Sequence, residues 1–191
     1  MGKRMENLTL HTPRLYLEKG GVKHLEMVHE LLSKPETDRY NTLGIPENME
    51  QTRTILNGWI LEGDKSVRKS YTFSVFERHS LIFVGLIALT MGKAAFRNAE
   101  VWYKLHPIHW NKGYGTEALK RVLEFGFSNL GLHRIEAGCA IGNGASIRLL
   151  EKVGMQREGQ KRKVLPLKTG WSDNYIYAIL AEDQKAEVKK I

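Results

Sequence analysis

The chain has 191 residues, of which 42% are hydrophobic and 26% are charged, and its net charge is +8. This length can bury a core without metals or disulfides, and the single cysteine, Cys139, excludes a disulfide framework and fits a reducing compartment. The longest apolar run, residues 81–89, is shorter than the ~20 residues of a membrane span, and no apolar segment follows the basic start. We therefore predict a soluble cytoplasmic protein with one domain over residues 1–191, a core over about 8–181 and a polar C-terminal tail over 182–191.

The predicted elements alternate between strands and helices. Alternating or continuous apolar residues predict strands, and apolar residues three or four positions apart predict amphipathic helices. The predicted strands cover residues 8–18 (interrupted at Thr12-Pro13), 71–76, 81–90, 98–105, 133–140, 155–164 and 174–181. The predicted helices cover residues 22–32, 46–62, 116–130 and 143–153, and the tail is helical or frayed. This order predicts an α+β fold, a mostly antiparallel twisted sheet flanked by helices with one central β-α-β crossover.

The positive charge is unevenly distributed along these elements. Residues 36–64 contain six acidic and two basic side chains, so the rest of the chain is strongly basic. A basic body suits a polyanionic ligand or partner, and a local acidic segment suits a cationic one. A solvated surface without a binding role explains the same distribution equally well.

Residues 109–118 contain the clearest binding motif of the chain. Gly113 and Gly115 lie between a predicted strand and a long predicted helix, with Lys112 beside them. Glycine lets the backbone approach an anion closely, and a helix N-terminus presents unpaired N–H groups and the positive end of the helix dipole. We therefore expect this loop to bind a phosphate group of a ligand.

Two nucleotide-binding motifs are alternatives for this loop. Gly113-x-Gly115-x-x-Ala118 matches the dinucleotide fingerprint, but a Rossmann loop directly follows the first strand of a βαβαβ unit, whereas about a hundred residues of hairpin-like sequence precede this one. A P-loop is excluded, because no glycine here is followed by Lys-Ser or Lys-Thr.

Three separated segments carry a family resemblance. They are Leu-His-Thr-Pro-Arg-Leu-Tyr-Leu at residues 10–17, the run from Glu100 through the glycine loop to Ala118, and Asn-Gly-Ala-Ser-Ile-Arg-Leu-Leu-Glu-Lys-Val-Gly-Met at residues 143–155. In this order they resemble the GCN5-related N-acetyltransferase (GNAT) superfamily, and more narrowly its RimJ/RimL-like branch of ribosomal-protein N-terminal acetyltransferases. The resemblance extends over residues 8–181 and implies the GNAT fold.

The resemblance implies acetyl-coenzyme A as co-substrate and no metal. In such enzymes backbone N–H groups of the glycine loop bind the pyrophosphate. Pantetheine then pairs along the end of the central strand, here near Leu105, where a backbone N–H can polarise the thioester carbonyl. Asn143 either bonds the pantetheine amides or acts as the N-cap of its helix, or does both. The loop residues that this assigns to the cofactor are Asn111, Lys112, Gly113, Tyr114, Gly115 and Thr116.

The resemblance also points to two catalytic residues. Glu100 is the candidate base, acting through water, and a role as substrate anchor or as partner of Arg97 fits it equally well. Many relatives protonate the leaving thiolate with a tyrosine where this chain has Leu150. Ser146, one turn earlier, is therefore the candidate acid, with plain helix surface as the alternative. His109 is a further candidate for proton transfer.

Other residues with reactive side chains are assigned to structure. Cys139 lies in a predicted strand and is assigned to the core, because this chemistry needs no covalent intermediate. His106 and His109 form a His-x-x-His pair without acidic or cysteine partners, which is a weak metal signal, so we assign both to the loop. Trp59, Trp102 and Tyr103 are assigned to the core, with a place for one of them in the lining of the acceptor groove as the alternative.

The acceptor of the acetyl group is less well determined by the sequence. In this fold the first two helices and the last hairpin form the walls of the acceptor site, and the acidic segment 36–64 falls among those helices, so a cationic amine fits. The resemblance favours the N-terminal α-amine of a (ribosomal) protein, and a polyamine or an aminoglycoside is the alternative. A non-catalytic acyl-coenzyme A sensor is the third possibility, which Leu150 permits. We expect no membrane association and no direct nucleic-acid role; a homodimer is common among relatives.

Overall fold

One mixed sheet forms the central layer of the fold. The computed structural model describes residues 8–64 and 69–188, and within them eight strands form this sheet. They are β1 (Thr9–His11), β2 (Leu15–Lys19), β3 (Ser70–Glu77), β4 (Phe83–Met91), β5 (Asn98–Leu105), β6 (Arg134–Ala140), β7 (Gln156–Leu167) and β8 (Gly170–Leu180). Their order is β1-β2-β3-β4-β5-β6-β8-β7, and only the β5–β6 pair is parallel. The predicted fold class is confirmed.

Helices cover both faces of this sheet. They are α1 (Leu25–Leu32), α2 (Pro35–Asp38), α3 (Met49–Asp64), α4 (Tyr114–Ser128), α5 (Gly144–Lys152) and α6 (Ala181–Val188). Helix α4 forms the β5-α4-β6 crossover and packs in the main core, where its Leu119 and Val122 join Leu89 of β4 and Ile135 of β6. Helix α1 packs on the opposite face, in a second cluster that includes Leu86. None of the helices in the described ranges is long and apolar enough to cross a membrane.

The structure corrects several predicted boundaries. The predicted strand 8–18 is in fact two antiparallel strands, β1 and β2, that turn at Pro13. Helix α2 was missed because Pro35 was interpreted as a stop signal, whereas it begins a new helix, where its missing N–H leaves no bond unmade. The predicted helix 116–130 begins at Tyr114, so half of the glycine loop belongs to its first turn.

The last hairpin is longer than the sequence predicted. The predicted strands 155–164 and 174–181 are extended in β7 and β8, which leave a turn of two residues between Leu167 and Gly170. Ala140, the last residue of β6, pairs with Asn174, so the tip of the hairpin reaches beyond the end of β6. The hairpin thereby becomes part of the functional end of the sheet.

Strands β5 and β6 separate halfway along β5. They are paired at Asn98–Arg134, Ala99–Ile135 and Glu100–Glu136, whereas β5 continues to Leu105 and β6 to Ala140. Beyond Glu100 each strand is paired with its outer neighbour, β4 or β8. The facing backbone edges of residues 101–105 and 137–140 therefore border a gap in the sheet, where a ligand with amide groups can pair like an additional strand.

Candidate active site

The loop between β5 and α4 has the backbone geometry of an anion cradle. Asn111 and Gly113 adopt left-handed conformations, with φ of 60° and 79°. Gly113 is the N-cap of α4 and provides no side-chain cap, so the first N–H groups of the helix have no intrahelical partner. The positive end of the helix dipole lies at the same place, beside the exposed Lys112. The six loop residues predicted to bind the cofactor thus lie in one continuous segment, three before α4 and three in its first turn.

Gly115 is required for packing against neighbouring side chains rather than for close approach to a phosphate. A Cβ atom on Gly115 would lie 2.6 Å from Leu149 Cδ1 and 2.9 Å from Leu105 Cδ1. The missing side chain therefore lets the first turn of α4 pack against α5 and the end of β5. This packing places the N-terminus of α4 at the mouth of the gap between β5 and β6.

The side chain of Tyr114 points away from the cradle. Its hydroxyl donates a 2.5 Å hydrogen bond to Glu77 Oε1, and its ring packs near His109 at a centroid distance of 6.0 Å. At the cradle, Tyr114 can therefore contact a ligand only through its backbone N–H. Its predicted cofactor contact is accordingly a main-chain contact.

Arg14 is a functional candidate that the sequence interpretation missed. Its Nη1 donates to the Lys112 carbonyl oxygen at 3.0 Å, and its guanidinium lies over the Tyr114 ring at 4.8 Å. A Cβ on Gly113 would lie 3.2 Å from its Nη2, so a positive charge borders the cradle. The Thr-Pro-Arg sequence was part of the family resemblance but was interpreted only as strand, because nothing local shows that it reaches the loop.

Glu117, on the first turn of α4, holds Arg14 in place. Its Oε2 accepts from Arg14 Nε at 2.6 Å, and its Oε1 accepts from Thr12 Oγ1 at 2.6 Å and from the Arg14 backbone N–H at 2.9 Å. Burial alone would raise the pKa of this carboxyl, but the hydrogen bonds and the Arg14 charge lower it. Glu117 therefore ties the β1–β2 turn to the glycine loop as a carboxylate.

The Glu117→Gln variant should lose about 1–2 kcal/mol of unfolding free energy at neutral pH, because charge-assisted hydrogen bonds are lost. Since the folded pKa is lowered, the contribution of Glu117 is complete above its unfolded pKa of about 4.3 and is lost as pH falls through the folded value. Urea denaturation over a pH series measures this. The control is Glu124→Gln, an exposed residue of the same helix whose ion pair is 3.3 Å long. A deficit of Glu117→Gln that persists unchanged in acid would contradict the assignment.

Tyr103, Cys139 and Ser146 meet on the α5 side of the gap. The Tyr103 and Ser146 hydroxyls are hydrogen-bonded, with 2.6 Å between Oη and Oγ. Burial raises the pKa of the Tyr103 phenol and of the Cys139 thiol, so both stay protonated at neutral pH. Cys139 is a buried core residue, as expected. The sequence interpretation assigned Tyr103 to the core as well and did not anticipate its bond to Ser146.

Asn143 is the N-cap of α5, and Leu150 lies near the other end of this helix. Asn143 Oδ1 accepts a hydrogen bond from the Ser146 backbone N–H at 3.1 Å, so the N-cap role of Asn143 is present. Its contact with pantetheine stays a prediction. Leu150 is fully buried in the main core, so the position of the usual tyrosine is filled by apolar packing.

Glu100 and Ser146 lie on opposite faces of the sheet, at the gap between β5 and β6. Successive residues of a strand alternate between faces, and Tyr103, three positions later, is the residue that contacts Ser146. Partial desolvation and repulsion from Glu136 raise the pKa of the Glu100 carboxyl, which Lys161 opposes. Arg97, the alternative partner of Glu100, instead donates from Nε to the Gly131 carbonyl oxygen at 3.0 Å. The two catalytic candidates therefore flank the gap without touching each other.

The histidines after β5 belong to the loop structure. His106 and His109 are buried, and His106 Nε2 is 3.3 Å from Glu30 Oε1. Burial, followed by the charges of Lys112 and His106, lowers the pKa of His109. Among residues 8–64 and 69–188, no group of three or more His, Cys, Asp or Glu side chains is arranged to hold a metal ion.

Helix α2 and the β7–β8 hairpin meet at the open end of the gap. Lys168, in the hairpin turn, places Nζ 2.7 Å from Asp38 Oδ2 at the end of α2. Tyr40 lies against the loop that follows β6, since a Cβ on Gly142 would be 3.1 Å from Tyr40 Cε1. Lys104 lies beneath, on the same face of β5 as Trp102, which packs with the α1 cluster. We call this surface, formed by α2, the hairpin turn and Lys104, the acceptor wall, after the acceptor site that the resemblance predicts beside the first two predicted helices (22–32 and 46–62) and the last hairpin; α2 itself was not predicted.

The residues present fit a coenzyme A thioester. The cradle offers N–H groups and positive charge to a diphosphate, and the gap offers unpaired strand edges to a chain of amide groups. The hydroxyls of Tyr103 and Ser146 border the gap on one side and Glu100 on the other. Such an arrangement suits a long anionic ligand whose reactive end must meet a second substrate.

Comparison with known proteins agrees with this geometry. The family model described as Acetyltransferase (GNAT) domain matches residues 14–156. N-acetyltransferase YnaD of Bacillus subtilis, itself uncharacterized, is 33% identical over 177 residues, covering 90% of this chain and 96% of YnaD. The crystal structure of a GNAT-family acetyltransferase from Bacillus anthracis is 34% identical with a TM-score of 0.80, covering 92% of this chain and 99% of that one.

Two more distant structures share the fold. RimL, a ribosomal alpha-N-protein acetyltransferase in complex with coenzyme A, has a TM-score of 0.83 at 17% identity and covers 91% of this chain and 98% of its own. Spermidine N-acetyltransferase from Vibrio cholerae, in complex with CoA and spermine, has a TM-score of 0.80 at 22% identity. The match covers 90% of this chain and 98% of the spermidine N-acetyltransferase chain. With the family model matching most of the chain, the protein belongs to the GNAT family and is an acetyl-coenzyme A-dependent N-acetyltransferase.

Proposed function

We propose that this enzyme acetylates the N-terminal α-amine of a protein, with a ribosomal protein as the first candidate. The observation that carries the proposal is the charge at the acceptor wall. Asp38, the buried carboxylate of the acidic segment at this wall, is already neutralised by the exposed Lys168 at 2.7 Å, and Lys104 adds a buried basic side chain at the same wall. This wall suits a singly charged peptide terminus better than a polycation, which needs excess negative charge. The shared fold with RimL supports the same acceptor.

The residues around the gap have complementary tasks in direct transfer. Bound acetyl-coenzyme A supplies an acetyl group activated as a thioester. A backbone N–H near Leu105 donates to the thioester oxygen and stabilises its developing negative charge. Glu100, through water, accepts the proton that the amine loses as its nitrogen bonds to the acetyl carbon. Ser146 Oγ–H donates to the sulfur as the carbon–sulfur bond breaks, and the Tyr103 phenol donates to Ser146.

The pKa of the acceptor amine favours an α-amine over a lysine side chain. An α-amino group titrates near pH 8, so a useful fraction is neutral under physiological conditions, whereas a lysine titrates near 10.4. A water-mediated carboxylate such as Glu100 is a moderate base and suffices for the first case. A moderate base such as Glu100 is less well suited to deprotonating a lysine side chain.

The Glu100→Gln variant should lower kcat/KM about 100-fold on a peptide substrate well below the amine pKa, because the general base is lost. The deficit should shrink as pH rises through about 8, where the amine loses its proton without help. Steady-state rates over a pH series measure this, with Glu124→Gln on the exposed face of α4 as control. Equal rates for Glu100→Gln and wild type at every pH would remove Glu100 from the mechanism.

A small-molecule amine is the second candidate acceptor. Glu100 and Glu136 are register partners on β5 and β6, and Glu136 is already paired with Arg134 at 2.7 Å, so Glu100, partly balanced by Lys161, is the carboxylate that a cationic group can bind. Spermidine N-acetyltransferase of Vibrio cholerae shares the fold. The cytoplasmic location and a homodimer stay predictions of the sequence.

The deciding experiment measures coenzyme A release from acetyl-coenzyme A with N-terminal peptides, polyamines and aminoglycosides, followed by mass spectrometry of the product. Acetylation on a peptide α-amine is the expected result. Turnover restricted to polyamines or aminoglycosides would overturn the protein-acceptor proposal in favour of the second candidate. Tight binding of acetyl-coenzyme A with no turnover of any amine would instead support a sensor.

A further inference from the structure

Two buried charged groups at the acceptor wall each have an unused hydrogen-bonding atom. Asp38 is 3% exposed and Lys104 is 7% exposed. Asp38 Oδ2 is engaged by Lys168, but within the described part of the chain neither Asp38 Oδ1 nor Lys104 Nζ has a hydrogen-bond partner. Buried polar atoms are almost always paired, so an unused acceptor and an unused donor at the same wall indicate a place for a ligand.

Asp38 and Lys104 do not satisfy each other directly. Burial lowers the pKa of Lys104 and the nearby Asp38 carboxylate opposes this, so the two groups attract each other. The ion pair at Asp38 is nevertheless made by Lys168 from the hairpin turn. A group that bridges Asp38 Oδ1 and Lys104 Nζ must therefore carry both a hydrogen-bond donor and a hydrogen-bond acceptor.

A peptide backbone offers this combination in every residue, as one N–H donor and one C=O acceptor. A protonated polyamine offers donors only, and it would add positive charge beside Lys104 and Lys168. We propose that Asp38 and Lys104 form a subsite for the first peptide unit of the acceptor. In it Asp38 Oδ1 accepts from a backbone N–H, and Lys104 Nζ donates to a backbone carbonyl oxygen. This inference rests on the proposed protein acceptor and specifies how it is recognised.

The position of the subsite suits this role. Lys104 immediately precedes Leu105, at whose backbone the thioester is expected, so the subsite lies next to the reacting amine. Lys168 Nζ pairs with Asp38 Oδ2 at 2.7 Å from the hairpin turn, and the Lys168 side chain is 66% exposed, so the subsite borders the solvent on this side. The reacting terminus then lies at the gap while its first peptide unit is held at the wall.

The test compares Lys104→Met and Asp38→Asn with wild type on an N-terminal peptide and on a simple alkylamine that lacks the amide. Each variant should raise KM for the peptide about 10-fold, the loss expected for one hydrogen bond, with unchanged affinity for acetyl-coenzyme A. The rate on the alkylamine should not fall, so the preference for peptide over alkylamine declines. Lys104→Gln, which keeps a donor, should recover part of the peptide affinity, and Lys120→Met on the exposed side of α4 is the matched control.

A substrate-side measurement avoids variants that fail to fold. Wild type should acetylate a peptide whose second-residue amide is N-methylated about 10-fold less efficiently than the unmethylated peptide, because the N–H for Asp38 is lost. Unchanged peptide KM in both variants together with full activity on the methylated peptide would overturn the subsite and leave the proposed function standing. Failure of wild type to acetylate any peptide would overturn the proposed function, and the subsite with it.

Discussion

The Gly113→Val variant should bind coenzyme A at least about 100-fold more weakly than wild type. Gly113 has a φ of 79°, which is unfavourable for a β-branched residue, so valine would pull the backbone toward a conformation that turns its N–H away from the cradle. Its Cβ would also lie 3.2 Å from Arg14 Nη2, the positive charge that borders the cradle. Isothermal titration with coenzyme A measures the loss directly and does not depend on the acceptor.

Gly131→Val is the matched control for this variant. Gly131 lies just beyond the other end of α4, has a φ of 64°, and has nothing within 4 Å of a Cβ atom. The same substitution there imposes a similar backbone strain without touching the cradle, so stability should fall while the affinity for coenzyme A is kept. Wild-type affinity in Gly113→Val would refute the assignment of the loop. Equal loss of affinity in both variants would show that strain alone, and not the cradle, is responsible.

The Ser146→Ala variant should lower kcat about 100-fold with little change in the affinity for acetyl-coenzyme A, because the donor to the leaving sulfur is lost. Tyr103→Phe should lower kcat in the same direction, since the Tyr103 phenol is 2.6 Å from Ser146 Oγ and stays protonated when buried. The two substitutions should be non-additive, because each breaks the same chain of donors.

Two further measurements separate this role from a structural one. The thiol pKa of bound coenzyme A, followed by the ultraviolet absorbance of the thiolate, should be higher in Ser146→Ala than in wild type, because a hydrogen bond to the thiolate is lost. Ser128→Ala, at the exposed end of α4, is the control and should change neither kcat nor this pKa. Additive losses in the double variant, or an unchanged thiol pKa, would exclude the Tyr103–Ser146 pair as the donor to sulfur.

Local patterns in the chain predicted most of the fold correctly. The alternation of apolar residues predicted the β3–β4 hairpin and strand β5, and the spacing of Leu119, Val122 and Leu123 predicted α4. These signals are local, since each depends on which side chains of one element are buried. The errors fall where local signals are ambiguous: Pro35 both stops one helix and begins the next, and the residues around Pro13 divide one predicted strand into two.

The candidate site was predicted only in part. The glycine loop was recognisable because its residues are adjacent in the chain, and the N-cap role of Asn143 was recognisable because it involves a residue three positions away. Arg14 contacts Lys112 of the glycine loop, 98 positions away, and Tyr103 contacts Ser146 of α5, 43 positions away. Neither contact leaves a mark on the neighbouring sequence, so the first was missed and the second was interpreted as core packing.

The sequence by itself determined most of the elements, the glycine loop before α4 and the family to which the chain belongs, because all three depend on residue types at short spacing. Only the tertiary structure decided that β5 and β6 separate after Glu100, that Arg14 borders the glycine loop, and that Lys168 of the last hairpin pairs with Asp38 of α2. Strand register and helix packing bring these residues together from distant parts of the chain. The physical reason is that such contacts depend on how whole elements bury their apolar faces, which no single stretch of sequence specifies.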